Sequence, residues 1–340
     1  MKNITTDKNY EMPSLLTVSP SPHMKSHVTT GKIMLDVIIA LTPALVWGIY
    51  MSGLRAILIV AISLVSCLGF EALSVKLMGR KTSLLDLSAA VTGIILAMNL
   101  PVSVPLWMPV VGSFFAIVVV KQLFGGLGKN IVNPALAARV FLFSWAGEMT
   151  RFASPAKPVN SLAVSLGEAD VVSSATPLVS LKAGSMPDVT LGDTFIGNIG
   201  GCIGEVSALF LIIGGIYLII RRVITWHIPV AYIGTVAVLT YFFPQSTDAF
   251  RFMLFELTSG GLMLGAIFMA TDYVTSPITN NGKLIFGVGC GAITVLIRYF
   301  GGYPEGVSFA ILIMNLLVWY IDLLGEPRRF GKIRQKKEKA

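Results

Sequence analysis

Apolar runs of about 18 residues or more recur along this chain. A helix of that length crosses the roughly 30 Å hydrocarbon layer of a bilayer, so the runs restrict the fold more than any other feature. The composition agrees. Of 340 residues, 54% are hydrophobic and 13% are charged, against about 25% charged in an average soluble domain. The first 30 residues are polar, carry Lys2, Lys8, Pro13, Pro20 and Pro22, and lack the apolar core of a cleavable signal peptide. The first helix is therefore expected to direct insertion itself, and the chain reads as an all-α polytopic membrane protein.

Ten spans are expected, at residues 33–52, 54–78, 84–100, 105–123, 134–149, 202–220, 226–243, 252–271, 283–300 and 307–324. The third and fifth are short, which leaves them open to tilting, a break or partial re-entry. Loop charges orient the layout. With the N-terminus inside, Lys2, Lys8, Lys25, Lys32, Lys76, Arg80, Lys81, Lys121, Lys129, Arg221, Arg222 and Lys283 fall inside, and Arg55, Arg151, Lys157, Lys182, Arg251 and Arg298 outside. That bias follows the positive-inside rule. It puts both termini in the cytoplasm and segment 153–201 on the outer face.

An internal repeat is also legible. Gly48-Ile49-Tyr50 matches Gly215-Ile216-Tyr217, Asp86-Leu87-Ser88 matches Glu256-Leu257-Thr258, and Leu123-Phe124-Gly125-Gly126 matches Tyr299-Phe300-Gly301-Gly302, in the same order. Five spans per half invert the second half relative to the first, an arrangement that encloses a site near the midplane. The division is then a cytoplasmic segment (1–32), a first five-helix repeat (33–152), an extracytoplasmic loop (153–201), a second inverted repeat (202–325) and a basic cytoplasmic tail (326–340).

The net charge of +8 raises the question of nucleic acid, but its placement answers otherwise. Arg328, Arg329, Lys332, Arg334, Lys336, Lys337 and Lys339 crowd the tail, where they act as a retention signal and a contact for anionic lipid. No nucleic-acid partner is expected. Cys67, Cys202 and Cys290 stand alone, with no iron–sulfur or zinc spacing within the chain. They read as packing residues or as ligands of a cluster shared with another subunit, and His23 and His27 as surface histidines.

Ionisable and amide side chains at membrane depth are costly and so become functional candidates: Asp36, Glu71, Asp86, Asn99, Asn130, Asn133, Arg139, Glu205, Glu256, Asp272 and Asn315. Asp86 and Glu256 are paired by the repeat, as facing carboxylates of a cation pathway or as structural caps. In Gly125-Gly126-Leu127-Gly128-Lys129-Asn130-Ile131-Val132-Asn133-Pro134 the glycines admit a ligand close to the backbone, and two amides lie one turn apart before a proline suited to a first helical turn. That run suits a heteroaromatic ring with polar edges, or a capped connecting loop. It is neither a Walker A nor a Rossmann loop. Gly265 to Pro277 brings small residues for close helix contact and then Asp272, a ligand for Na⁺ or H⁺ or a cap. Asp170-Val171-Val172-Ser173-Ser174-Ala175-Thr176-Pro177 is a hydroxyl-rich stretch in the one long, weakly apolar interval. Its Thr176 is flanked by little bulk, and it reads as a turn or as a hydroxyl offered to a modifying enzyme.

Several of these segments together resemble the RnfD proteins of the Rnf complex and their NqrB homologues in the Na⁺-pumping NADH:quinone oxidoreductase, over essentially the whole chain. They are Ser21-Pro22-His23-Met24-Lys25-Ser26-His27-Val28-Thr29-Thr30 with Ile33-Met34-Leu35-Asp36-Val37, the glycine-rich loop ending in Asn133-Pro134-Ala135, and Met269-Ala270-Thr271-Asp272. The short N-terminal region is nearer to the Rnf branch. Asp170 to Thr176 resembles that family's flavinylation motif, an Asp before a Ser-Gly-Ala-Thr run, here with Ser173, Ser174 and Ala175 and with Ser174 where glycine is usual. The resemblance implies FMN joined through its phosphate to the Thr176 hydroxyl, and riboflavin at Asn130 and Asn133. It further implies a bacterial cytoplasmic-membrane complex with RnfA, RnfB, RnfC, RnfE and RnfG, loaded by a flavin transferase. That complex passes electrons from reduced ferredoxin to NAD⁺ and exports Na⁺ or H⁺. The present chain would relay electrons without binding NAD, since it has no dinucleotide fingerprint. A flavin-free inverted-repeat channel or secondary transporter is the competing expectation.

Overall fold

The computed structural model describes residues 29–79, 84–152, 176–205, 207–303 and 305–325. Among them the regular structure is helical, with one isolated antiparallel bridge between Pro101 and Cys202. Helix α1 (Thr30–Ser52) starts at Thr29, whose hydroxyl accepts from Lys32 N. It ends at Gly53, where a φ of 78° suits glycine and lets α2 (Leu54–Leu77) turn back at once. A short 3₁₀ turn (Leu84–Asp86) leads into α3 (Ser88–Met98). Helix α4 runs from Trp107 to Phe114 and continues as a wide π-type turn from Phe115 to Gln122. Helix α5 (Pro134–Leu142) is followed by the short α6 (Ala146–Met149). The small helices α7 (Pro177–Lys182) and α8 (Leu191–Ile196) precede α9 (Ala208–Ile220) and α10 (His227–Phe242). Helix α11 (Ala249–Thr258) breaks at Ser259–Gly261 into α12 (Leu262–Met269), bent by 61°. Helices α13 (Asn280–Phe300) and α14 (Val307–Gly325) close the chain.

Four helices, α1, α2, α13 and α14, are long and apolar enough to cross a membrane, and the bent α11–α12 pair has the length and composition of a broken span or a re-entrant loop. In α1 only 22% of the apolar window is buried inside the protein, although its mean hydropathy is 1.9. Such a surface belongs against lipid, not water. Lipid gives helices no hydrophobic reason to associate, so close packing must hold them. Gly287 and Gly291 of α13 let the Ile228 and Tyr232 backbone of α10 approach, and the Tyr232 hydroxyl meets Thr294 Oγ1 at 2.6 Å in the same seam. Gly214 of α9 likewise lies against the Ala40 carbonyl of α1. The main core then joins Leu41, Leu96, Met98, Leu136, Leu264 and Phe286.

The expected spans 33–52, 54–78, 283–300 and 307–324 fall on the four helices of spanning length, while those at 105–123, 202–220 and 226–243 fall on shorter apolar helices. The segment 84–100 is a 3₁₀ turn plus an 11-residue helix, and 252–271 is the broken pair. Three cations read as loop charges are buried instead. Arg55 donates to Val102 O (2.8 Å) and Val104 O (3.1 Å), Lys121 pairs with Glu71, and Arg298 pairs with Glu256. The cysteines are free and buried, as packing residues should be.

Candidate functional site

Two cavities with a few polar side chains in largely apolar walls lie between the helices. The first is lined by Ser88 of α3, Lys121 at the end of the α4 turn, Asn130 and Asn133 of the glycine-rich loop, and Thr271 and Asp272 after α12. Its apolar wall includes Met34, Val91, Ile95 and Phe268. The cavity volume is about 90 Å³, several times the roughly 10–15 Å³ that one water needs. Asn133 is held twice. Its Oδ1 accepts from Ala135 N (3.1 Å) and Leu136 N (3.4 Å) as the N-cap of α5, and its Nδ2 donates to Met269 O (3.2 Å). Pro134 at the first helical position has no N–H to satisfy. With its amide turned to donate to Thr275 O, Asn315 accepts from Asn133 N at 3.2 Å. Asn130 Nδ2 donates to Val132 O (3.1 Å), and Asp272 Oδ2 accepts from Thr275 Oγ1 (3.1 Å).

Lys121 carries the charge of this cavity. Its Nζ lies 2.6 Å from Glu71 Oε1 and 2.6 Å from Ser88 Oγ. Ser88 in turn donates to Asp86 Oδ1 through its hydroxyl (2.6 Å) and its N–H (2.9 Å), so Asp86 stands at the positive end of α3. Glu256 has a separate partner, Arg298, with Nη1 2.6 Å from Oε2. Asp86 and Asp272 are thus at or beside the first cavity, while Glu256 belongs to the α11–α13 contact.

The second cavity is lined by Thr176, Leu178, Gly200, Gly201, Glu205, Gly260 and Glu305. Thr176 precedes Pro177 and α7 in an extended conformation, is 8% exposed, and its hydroxyl does not cap the helix. Asp170, Ser173, Ser174 and Ala175 lie outside the described residues. Behind the cavity is Arg139 of α5, 1% exposed. Its Nη1 donates to Asn99 Oδ1 at 2.5 Å; its Nη2 donates to Glu205 Oε1 at 2.9 Å and also to Glu305 Oε2. Glu305 Oε1 accepts from Gly261 N (2.9 Å) in the helix break. Glu205 belongs to the loop before α9.

One polar chain joins the two cavities. Asn133 holds Met269 O, Met269 Sδ accepts from Asn99 Nδ2 (3.4 Å), and Asn99 holds Arg139. The sequence singled out Asn99, Asn133, Arg139 and Glu205 by their depth. It passed over Glu305, in a turn-rich stretch that reads as a loop. The available signal was the repeated Gly-Gly pair: Gly125-Gly126 leads into the first cavity and Gly301-Gly302 into the second.

Helices of spanning length around buried charge networks define a multi-pass membrane protein with polar sites in its interior. The chain belongs to the NQR2, RnfD, RnfE family, whose profile matches residues 17–331. It is 47% identical to the D component of the Na⁺-translocating ferredoxin:NAD⁺ oxidoreductase complex of Acetobacterium woodii, over 95% of this chain and 98% of that one. It is 40% identical to the D component of the proton-translocating ferredoxin:NAD⁺ oxidoreductase complex of Clostridium ljungdahlii, over 94% and 98%. It is also 40% identical to the D component of the ion-translocating oxidoreductase complex of Stutzerimonas stutzeri, over 89% and 93%. These relatives are subunits of electron-transfer oxidoreductase complexes, and their names differ in the ion.

Proposed function

We propose that this chain is the membrane subunit of an ion-translocating ferredoxin:NAD⁺ oxidoreductase, carrying FMN in phosphoester linkage on Thr176 and riboflavin in the Asn130–Asn133 cavity. The observation that carries the reading is the pairing of these two cavities, each built around a residue that the sequence picked out for a flavin, and joined by one buried polar chain. In the first, an apolar wall from Met34 to Phe268 faces an amide edge, a combination that fits a ring apolar on its faces and polar at its rim. In the second, a hydroxyl not used in capping stands among three glycines, which leave room beside it. When bound, the flavins supply electron transfer, and the protein supplies position and electrostatics. Asn130 and Asn133 orient the ring, Lys121 offers a positive charge beside it, and Thr176 fixes the second cofactor by its ester.

The inverted five-helix repeat belongs to this reading. Helix α2 packs on α3 and α4, α10 packs on α11 and α13, and α5 meets α14 as α1 meets α9. The interrupted elements, α3 and α11–α12, occupy matching places, as midplane sites in repeat transporters require. Removing the buried Lys121, Arg55 and Arg298 from the loop count leaves Arg151, Lys157, Lys182 and Arg251 against a much larger set. The termini therefore stay cytoplasmic and Thr176 extracytoplasmic. Asp86, Glu256 and Asp272 are the carboxylates proposed for the Na⁺ or H⁺ path. RnfA, RnfB, RnfC, RnfE, RnfG and a flavin transferase are the partners, in a bacterial cytoplasmic membrane.

The test is in-gel flavin fluorescence of the chain under denaturing conditions. Wild type fluoresces and Thr176→Ala does not; a dark wild-type band would sink the covalent FMN. Asn130→Leu with Asn133→Leu lowers extractable riboflavin and leaves the fluorescent band, and unchanged riboflavin removes the amides from that site.

A further inference from the structure

Arg139 holds two carboxylates on one nitrogen. Glu205 Oε1 and Glu305 Oε2 both accept from Nη2, and a Cβ placed on Gly261 would come within contact of an Oε1 from each. The charges facing this group from the packed elements are few. Arg298 of α13 is held by Glu256 of α11 at 2.6 Å, and Tyr232 of α10 is bonded to Thr294. Cys202, in the same loop as Glu205, lies 3.6 Å from Arg139 through its sulfur. With both carboxylates ionised, Arg139 would leave one negative charge uncompensated, although Glu205 is 6% exposed. Like charges sharing a buried site cannot both stay ionised. The cavity wall adds a second observation, the buried Thr176 hydroxyl that its helix does not use.

We propose that Glu205 and Glu305 share one proton over Arg139, forming a carboxylic acid–carboxylate pair that is the protonatable group of the Thr176 cavity. The first part concerns the chain alone. The second rests on the reading of Thr176 as the FMN anchor. A phosphoester there adds one negative charge beside the pair, and the remaining carboxylate takes one proton from water to offset it. An O–H bond forms on the carboxyl as one breaks on a solvent hydronium ion, and the net charge of the cavity stays constant. The cavity then holds an acid next to the covalently fixed cofactor, in a place where no histidine stands among the described lining residues.

The experiment is a pH-induced infrared difference spectrum of the purified complex containing this chain. In Thr176→Ala, which lacks the phosphoester, the pair gives the carboxylic-acid C=O band of one protonated carboxyl, and in flavinylated wild type both carboxyls contribute to it. In the Thr176→Ala background, which lacks the phosphoester charge, Glu205→Gln and Glu305→Gln each lose that band, because either change leaves a single carboxylate ionised against Arg139. Both glutamines keep shape; Glu205→Gln keeps an oxygen for Arg139, whereas Glu305→Gln can accept from only one of Arg139 and Gly261 N, so if one variant does not assemble the other still decides. A band unchanged in both variants overturns the shared proton, and a band abolished by Na⁺ at fixed pH overturns it in favour of a metal cation. In flavinylated wild type the band persists to higher pH than in Thr176→Ala; equal titrations overturn the second part alone. A Thr176→Ala protein that keeps its fluorescent band refutes the anchor, and leaves the shared proton to be judged on the glutamine variants.

Discussion

Lys121 and Glu71 make a buried pair whose worth can be measured. Their side chains are 3% and 1% exposed, the N–O distance is 2.6 Å, and Lys121 spends a second hydrogen bond on Ser88. Lys121→Met removes the cation, and the hydrogen bond from Gln122 Nε2 to Glu71 (3.2 Å) remains. Removing one partner of a buried pair costs about 3–5 kcal/mol. Replacing both, as Lys121→Met with Glu71→Leu, should return stability to within about 1 kcal/mol of wild type, because desolvation of two ions is also removed. The double-mutant cycle therefore closes with a coupling of about 3 kcal/mol or more. An internal control is Asp36–Arg221, where the arginine is 56% exposed, and a pair so open contributes about 0–1 kcal/mol. Reversible unfolding in mixed micelles, titrated with SDS, gives all the values. Additivity at Lys121 and Glu71 within about 0.5 kcal/mol would refute the buried pair. So would a Lys121→Met cost no larger than that of Asp36→Asn. Lys121→Met should also lower extractable riboflavin, since the same ammonium lines that cavity.

The packing gives a sharper contrast between two glycines. Gly214→Ala drives a methyl into the Ala40 carbonyl and should cost about 1–3 kcal/mol. Gly234→Ala meets nothing within 4 Å inside α10 and should gain about 0.5–1 kcal/mol, both read in the same micelle titration. Arg139→Lys keeps the charge but loses the fork that reaches Asn99 and both glutamates. Thermal unfolding of the complex should drop markedly, and an unchanged midpoint would discount the network. Cys67, Cys202 and Cys290 are buried, so a membrane-permeant maleimide should label none of them before denaturation, as counted by intact mass.

The four helices of spanning length were legible because apolar length is written in composition, and helix starts such as Thr29 and Asn133-Pro134 carry local caps. The break at Ser259–Gly261 was not, because distant residues impose it. Arg298 takes the Glu256 carbonyl (2.6 Å) and the Ser259 carbonyl (3.3 Å), and Glu305 takes Gly261 N (2.9 Å). Backbone groups captured from outside cannot continue a helix, and their captors lie about forty residues away in sequence. Lys121 was misread for a related reason. It ends an apolar run, where a cation is ordinarily interfacial, and the carboxylate that buries it is fifty residues earlier. Depth alone did find Asn99, Arg139 and Glu205, since a polar group inside lipid must have partners whatever they are.

Those partners share a pattern with mechanical consequences. Glu256 and Arg298 sit at the α11–α12 break, and Lys121 ends a π-type turn. Met269, which ends the second π-type turn, links Asn133 to Asn99. Irregular helix exposes backbone groups that lipid cannot satisfy, so charge and irregularity require each other at membrane depth. A change of charge in either cavity therefore acts on a place where the backbone is already interrupted, and the Asn133–Met269–Asn99–Arg139 chain passes from one such place to the other. Coupling through that chain requires that removing riboflavin from the first cavity alter the Thr176 cavity in wild type and not in Asn99→Leu, which cuts the chain without touching either cavity wall. If the infrared band of the Glu205–Glu305 pair responds to riboflavin equally in wild type and Asn99→Leu, the chain is scaffold and the two cavities act alone.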